Sequence, residues 1–264
     1  MKRVLTALVL VPVVLAVVLW APLWLFTPLL LAVALVAGRE FFDLAEAQGL
    51  APYRWLGLVA IAAVVLSMAL PWAVPTLVLA PVLVACMLAV LLRALMLPEA
   101  MAHTLGSAGA TMLGIVYLGL CMGATGAIRL EFGSAWLIFL LLVVWLGDTA
   151  ALYGGRLFGR HAMSPRVSPK KTWEGGAASL LAGFAVGGAF GHWFVGHTLR
   201  YGALAVLINV AAQGGDLVES LFKRGAGVKD SGTLLPGHGG MLDRIDAMLL
   251  AAPVLWYYVA YFPR

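Results

Sequence analysis

Charge is the scarcest feature of this chain: Asp, Glu, Lys and Arg together make up 11% of its 264 residues, where a soluble domain carries roughly a quarter. So thin a polar coat excludes a water-soluble globular domain, because too little would cover its surface. Cysteine is scarcer still. Cys86 and Cys121 both lie in or at the edge of apolar blocks, which argues against a disulfide framework and leaves no thiolate metal spacing. Internal repeats and low-complexity tracts are missing, and long polar stretches occur only at 155–175 and 223–243.

What fills the chain instead is hydrophobic, at 63% of residues with a mean hydropathy of +1.00. The apolar residues come in long blocks without helical amphipathicity, so these segments meet apolar surroundings on every side. Blocks of about 17–25 residues match the hydrocarbon core of a bilayer. The expected fold is all-α, a polytopic integral membrane protein with about nine transmembrane helices. They are placed near 4–20, 22–38, 55–71, 74–97, 105–122, 135–154, 176–194, 201–222 and 243–261. The first apolar run is too long for a signal peptide and folds at Trp20-Ala21-Pro22, so no cleavage is expected. The whole of 1–264 is read as one membrane domain, with N-terminal helices in 1–130 and a catalytic region in 135–264.

Nine spans put most of the net +5 charge on one side. With a cytosolic N-terminus, both polar loops and most Lys and Arg face the cytosol, while Arg129, Arg200 and Arg264 stay opposite. Sidedness therefore explains the basic balance better than nucleic-acid binding does. Tryptophans at span ends, such as Trp20, Trp55, Trp72 and Trp193, read as interface anchors.

Ionisable groups inside spans are expensive and mark function. In the eighth span Asn209, Gln213, Asp216, Ser220 and Lys223 recur at helical spacing as one polar stripe, with Glu219 beside them. Interhelical hydrogen bonding explains Asn, Gln and Ser in such a stripe. Asp216 and Lys223 point to a site. The following loop reads Lys223-Arg224-Gly225 through Lys229-Asp230-Ser231-Gly232, then Pro236-Gly237-His238-Gly239-Gly240 and Asp243-Arg244-Ile245-Asp246. Its glycines let backbone N–H groups approach phosphate oxygens that Lys223, Arg224 and Lys229 can neutralise. Asp243 and Asp246 share nearly one helix face and suit Mg²⁺, although a helix N-terminus also welcomes a carboxylate. The earlier loop carries Ser168-Pro169-Lys170-Lys171-Thr172-Trp173-Glu174-Gly175. A basic patch against lipid headgroups would account for its lysines alone. Asp148, at the end of the sixth span, is balanced between a structural ion pair and a site role.

The segment Ser220-Leu221-Phe222-Lys223-Arg224, Lys229-Asp230, His238-Gly239-Gly240, Asp243-Arg244 and Asp246 resembles the hallmark motif of phosphatidate cytidylyltransferases of bacterial type. The stretches Ser168 to Gly175 and Asp148 to Gly159 also resemble family motifs, so the likeness covers roughly the C-terminal half. It implies an enzyme joining CTP to phosphatidic acid with release of pyrophosphate, at the cytosolic side of the inner membrane. It also implies Mg²⁺ held by Asp216 and Asp243, with Asp246 close by, and leaves room for a second cation and for a homodimer. Catalytic roles then fall to Asp216, Lys223, Asp243 and Asp246. Substrate contacts fall to Ser168, Lys170, Lys171, Thr172, Ser220, Arg224, Lys229, Asp230, His238 and Arg244. The runner-up is a cytidylyltransferase for another lipid phosphate, such as an ether lipid or polyprenyl phosphate. A transporter ranks lower, since no repeated pair of broken helices is evident.

Overall fold

The computed structural model describes residues 2–70, 75–96, 103–234 and 239–262. Nine helices follow one another among the described residues, close to where the apolar blocks place them. They are α1 (Lys2–Trp20), α2 (Leu23–Ala47), α3 (Arg54–Ala69), α4 (Pro75–Leu95), α5 (Thr104–Phe132), α6 (Ser134–Phe158), α7 (Trp173–Val195), α8 (Thr198–Gly225) and α9 (Leu242–Tyr261). Six of them, α2 and α4 to α8, are long and apolar enough to cross a membrane. The protein is an all-α polytopic membrane protein, and the one small sheet among the described residues is a hairpin, β1 (Ala162–Ser164) against β2 (Ser168–Thr172).

Two helices run well past their expected ends, for the same reason. α2 continues through Arg39, Glu40 and Glu46, which favour a helix, and past Asp43, until Gly49 adopts φ +82°. α5 continues through π-helical turns to Phe132 and stops where Gly133 adopts φ +89°. Each helix ends where a glycine takes the left-handed backbone that other residues avoid. Arg129, expected in a loop, thus sits in the last turns of α5. Its Nε and Nη2 donate to the carbonyls of Val18 and Ala21, which α1 leaves unpaired at its end.

The chain divides into two compact units: Met1–Phe132 with Phe222–Ile245, and Gly133–Leu221 with Asp246–Arg264. In the first, α3 and α5 pack through small residues; a Cβ on Gly126 would stand 2.5 Å from Ala69 Cβ. Close backbone approach of this kind is what holds helices together where no water drives them. In the same unit Phe222 meets Phe41 and Tyr117 edge-on, with Phe41 and Phe222 centroids 5.6 Å apart, while Phe41 and Tyr117 are tilted to each other. Phe222 thereby seats the end of α8 within this unit, immediately before Lys223.

In the second unit α6 and α7 lie against each other through glycines. A Cβ on Gly154 would come within 2.5 Å of Ala178 Cβ. Phe139 and Phe190 stack at 4.5 Å, with Trp136 and Tyr201 around them. Between α6 and α7 the polar stretch is tighter than expected, since α6 runs through Gly154, Gly155 and Arg156 to Phe158.

Candidate functional site

The β-hairpin determines where the two adjacent lysines go. Its base is tied by Glu174, whose Oε2 accepts the N–H groups of Arg160 and His161 and whose Oε1 lies 2.6 Å from His161 Nδ1. Trp173 N donates to the His161 carbonyl at 3.0 Å, and Thr172 Oγ1 caps α7 by accepting from Gly175 N. Held this way, β2 turns Lys171 inward. Its Nζ stands 2.6 Å from Asp216 Oδ2, and Ser220 Oγ donates to Asp216 Oδ1 at 3.4 Å.

Around this pair the second unit encloses a cavity of about 350 Å³, with Asp148, Lys170, Lys171, Thr172, Gln213 and Asp216 on its walls. Gly175 and Gly176, in the first turn of α7, also line it, so the positive end of a helix dipole faces the cavity. Two cations, two carboxylates and a helix start converge on one space from three separate stretches of chain. That arrangement can receive a polyanion together with a hard cation. Asp148, left open between an ion pair and a site, lines this same space.

The polar stripe of α8 divides by function. Asn209 is buried, takes a hydrogen bond from Ser179 Oγ at 2.8 Å and donates to the Val143 carbonyl. Gln213 Nε2 reaches Asn209 Oδ1 at 2.8 Å and the Gly176 carbonyl at 3.4 Å. This upper part joins α6, α7 and α8. Asp216, less than one turn past Gln213, belongs to the cavity, whose wall Gln213 also joins.

The first unit holds a different polar cluster. Asp243 Oδ1 accepts from Lys223 Nζ at 2.5 Å, and its Oδ2 accepts from Ser231 N, Ser231 Oγ and Gly240 N, each at 2.8 Å. Both partners of the ion pair are buried, with side-chain exposures of 11% and 6%. Glu40 of α2 joins them: it accepts from Met241 N, Leu242 N and Ser231 Oγ at 2.9, 2.7 and 3.1 Å. Gly227, at φ +71°, ends α8, with Val228 N donating to the Lys223 carbonyl.

Of the remaining expected site residues, Ser168 opens β2. Arg224 Nη1 donates to the Val228 carbonyl, while Lys229, Asp230 and Arg244 are exposed. Asp246 Oδ1 accepts the N–H of its neighbour Ala247. His238 lies outside the described residues. Glu40 was missed because it reads as one of several charged residues, with Arg39, Asp43 and Glu46, that follow an apolar block without a motif.

The description "cytidylyltransferase family" matches residues 1–262 of the chain. The chain belongs to this family. Among similar proteins, a phosphatidate cytidylyltransferase of Brucella suis is 42% identical over 158 residues, covering 56% of each chain. One from Mycobacterium bovis is 43% identical over 134 residues, covering 50% of this chain and 44% of its own. One from Haemophilus influenzae is 41% identical over 129 residues, covering 46% and 44%. The chain spans about half the length of the curated relatives it matches. The family match thus covers all nine helices described above.

Proposed function

We propose that this cytidylyltransferase joins CTP to phosphatidic acid, forming CDP-diacylglycerol and pyrophosphate at the cytosolic face of the inner membrane. The observation that carries the reading is the cavity of the second unit, where Lys170, Lys171, Asp148 and Asp216 face one space in a helix-lined region. The names of the similar proteins support the choice of lipid acceptor.

In this reading a phosphatidate oxygen attacks the α-phosphorus of CTP. The bond from that phosphorus to the β-bridging oxygen breaks, and pyrophosphate takes the electron pair away. A phosphomonoester is already anionic near neutral pH, so no strong base is required. The protein's task is to bring two polyanions together and offset the charge on entering and leaving oxygens. Lys170 and Lys171 neutralise phosphate, and the N-terminal turn of α7 adds its dipole. Asp216 holds the Lys171 ammonium in place until substrate competes for it.

Among the described residues no group of three His, Cys, Asp or Glu side chains converges on one point. The expected trio of Asp216, Asp243 and Asp246 fits Mg²⁺ unequally. Asp243 already receives four protein donors, and Asp246 takes a backbone N–H. Asp216 fits, and Asp148 on the same cavity wall offers a second carboxylate, the number Mg²⁺ ordinarily takes beside substrate phosphates. When bound there, Mg²⁺ would neutralise phosphoryl oxygens as a Lewis acid.

Purified protein with labelled CTP, Mg²⁺ and a panel of lipid phosphates tests this. Labelled CDP-diacylglycerol with stoichiometric pyrophosphate is the expected result. Transfer only to another lipid phosphate would move the assignment to that acceptor, and solute movement without CTP turnover would overturn it.

A further inference from the structure

Glu40 sits 191 residues before Ser231 and 202 before Leu242, yet it hydrogen-bonds to both. It is buried at 7% exposure, and two loop glycines make room for it. A Cβ on Gly232 would stand 2.6 Å from Glu40 Oε1, and one on Gly240 would press on both Glu40 and Ser231. Such a carboxylate is costly to bury unless donors surround it. Here three donors do: two backbone N–H groups and one hydroxyl.

The hydroxyl of Ser231 is shared, 3.1 Å from Glu40 Oε2 and 2.8 Å from Asp243 Oδ2. Capping the start of α9 needs one carboxylate, and Asp243 already reaches back to Gly240 N. The second carboxylate does something else: it fixes Ser231 and the 241–242 backbone, and so the face that Asp243 presents to Lys223.

We propose that Glu40 is a positioning residue for Ser231 and for residues 240–243 at the start of α9, and through them for the Lys223–Asp243 pair. The loop's part in this inference, offering the exposed Lys229 to a phosphate of CTP in addition to the lysines named above, rests on CTP being the substrate as proposed above. The geometry asks for an acceptor with no donor. In Glu40→Gln, one end of the amide must point an NH₂ at a backbone N–H, Met241 in one flip and Leu242 in the other. Glu40→Asp keeps both acceptors and the charge, on a shorter reach.

A loop that is only partly in its binding arrangement weakens apparent affinity by its populated fraction, while saturating substrate restores the arrangement. For purified full-length protein in detergent, Glu40→Gln should raise KM for CTP about tenfold or more with a smaller change in kcat. Amide hydrogen exchange at Ser231 and Gly240 to Leu242 should quicken, and Glu40→Asp should recover most of both. Unchanged KM with unchanged exchange in Glu40→Gln would overturn the proposal. So would a lower melting temperature with normal kinetics per folded molecule, which is the signature of a merely structural residue. If the wild-type protein transfers nothing from CTP, the function assigned above fails, and the exchange comparison alone decides the role of Glu40.

Discussion

Lys171 Nζ and Asp216 Oδ2 lie 2.6 Å apart, one delivered by a β-hairpin between spans and the other by the interior of a membrane helix. The pair is a third exposed, at 27% and 35%, so it is not a sealed structural bridge. It stands on the wall of a cavity that also holds Lys170 and Asp148. A cation in such a place can leave its carboxylate for a phosphate.

Lys171→Ala should therefore lower turnover on the order of 100-fold, as losing one charge-stabilising donor does, without loss of folded protein. Lys170→Ala should also reduce turnover. If the lysines only met anionic headgroups, each would add on the order of 1 kcal/mol of surface attraction and leave kcat intact. Initial rates at saturating CTP and lipid, per folded molecule, separate these results.

Asp148→Asn and Asp216→Asn should each abolish most activity and flatten its Mg²⁺ dependence, with the double variant scarcely worse than either. Multiplying losses would show that the two carboxylates serve separate tasks. Asp243→Asn should behave differently. It removes the carboxylate that meets the buried Lys223 ammonium at 2.5 Å, and breaking such a pair costs about 3–5 kcal/mol. Its melting temperature in detergent should fall well below those of the other two variants. A stable Asp243→Asn protein with an altered Mg²⁺ response would favour the metal role expected of Asp243.

Asn209→Ala tests the division of the α8 stripe. Polar contacts between membrane helices contribute roughly 1 kcal/mol, so a modest fall in stability with near-normal kcat is expected. A large loss of turnover at unchanged stability would place Asn209 in the cavity's chemistry.

Topology is open to direct measurement. Reporters inserted within 160–170 and 225–235 should both read cytosolic, and one after Arg264 should read the opposite side. Loops on opposite sides would break the proposed use of CTP by both. A cytosolic C-terminus with both loops unchanged would remove one crossing helix.

Composition and hydropathy alone determined that this is a helical membrane protein, because apolar runs of bilayer length have no other stable form. The same runs located nine helices, and polar residues inside them marked Asp216 and Lys223. Helix ends were less legible: α2 and α5 overran because their terminating glycines, Gly49 and Gly133, are only two among 30 in the chain. Side-chain pairing was not legible at all. Sequence spacing puts Asp216, Asp243 and Asp246 in one motif. Only the folded chain decided that Asp216 turns to Lys171 and a cavity, while Asp243 turns to Lys223, Ser231 and Gly240. Glu40 is the plainest case. One acid among the charges that follow an apolar run carries no local signal, and its role arises from backbone N–H groups some 200 residues away, which only tertiary structure can bring to it.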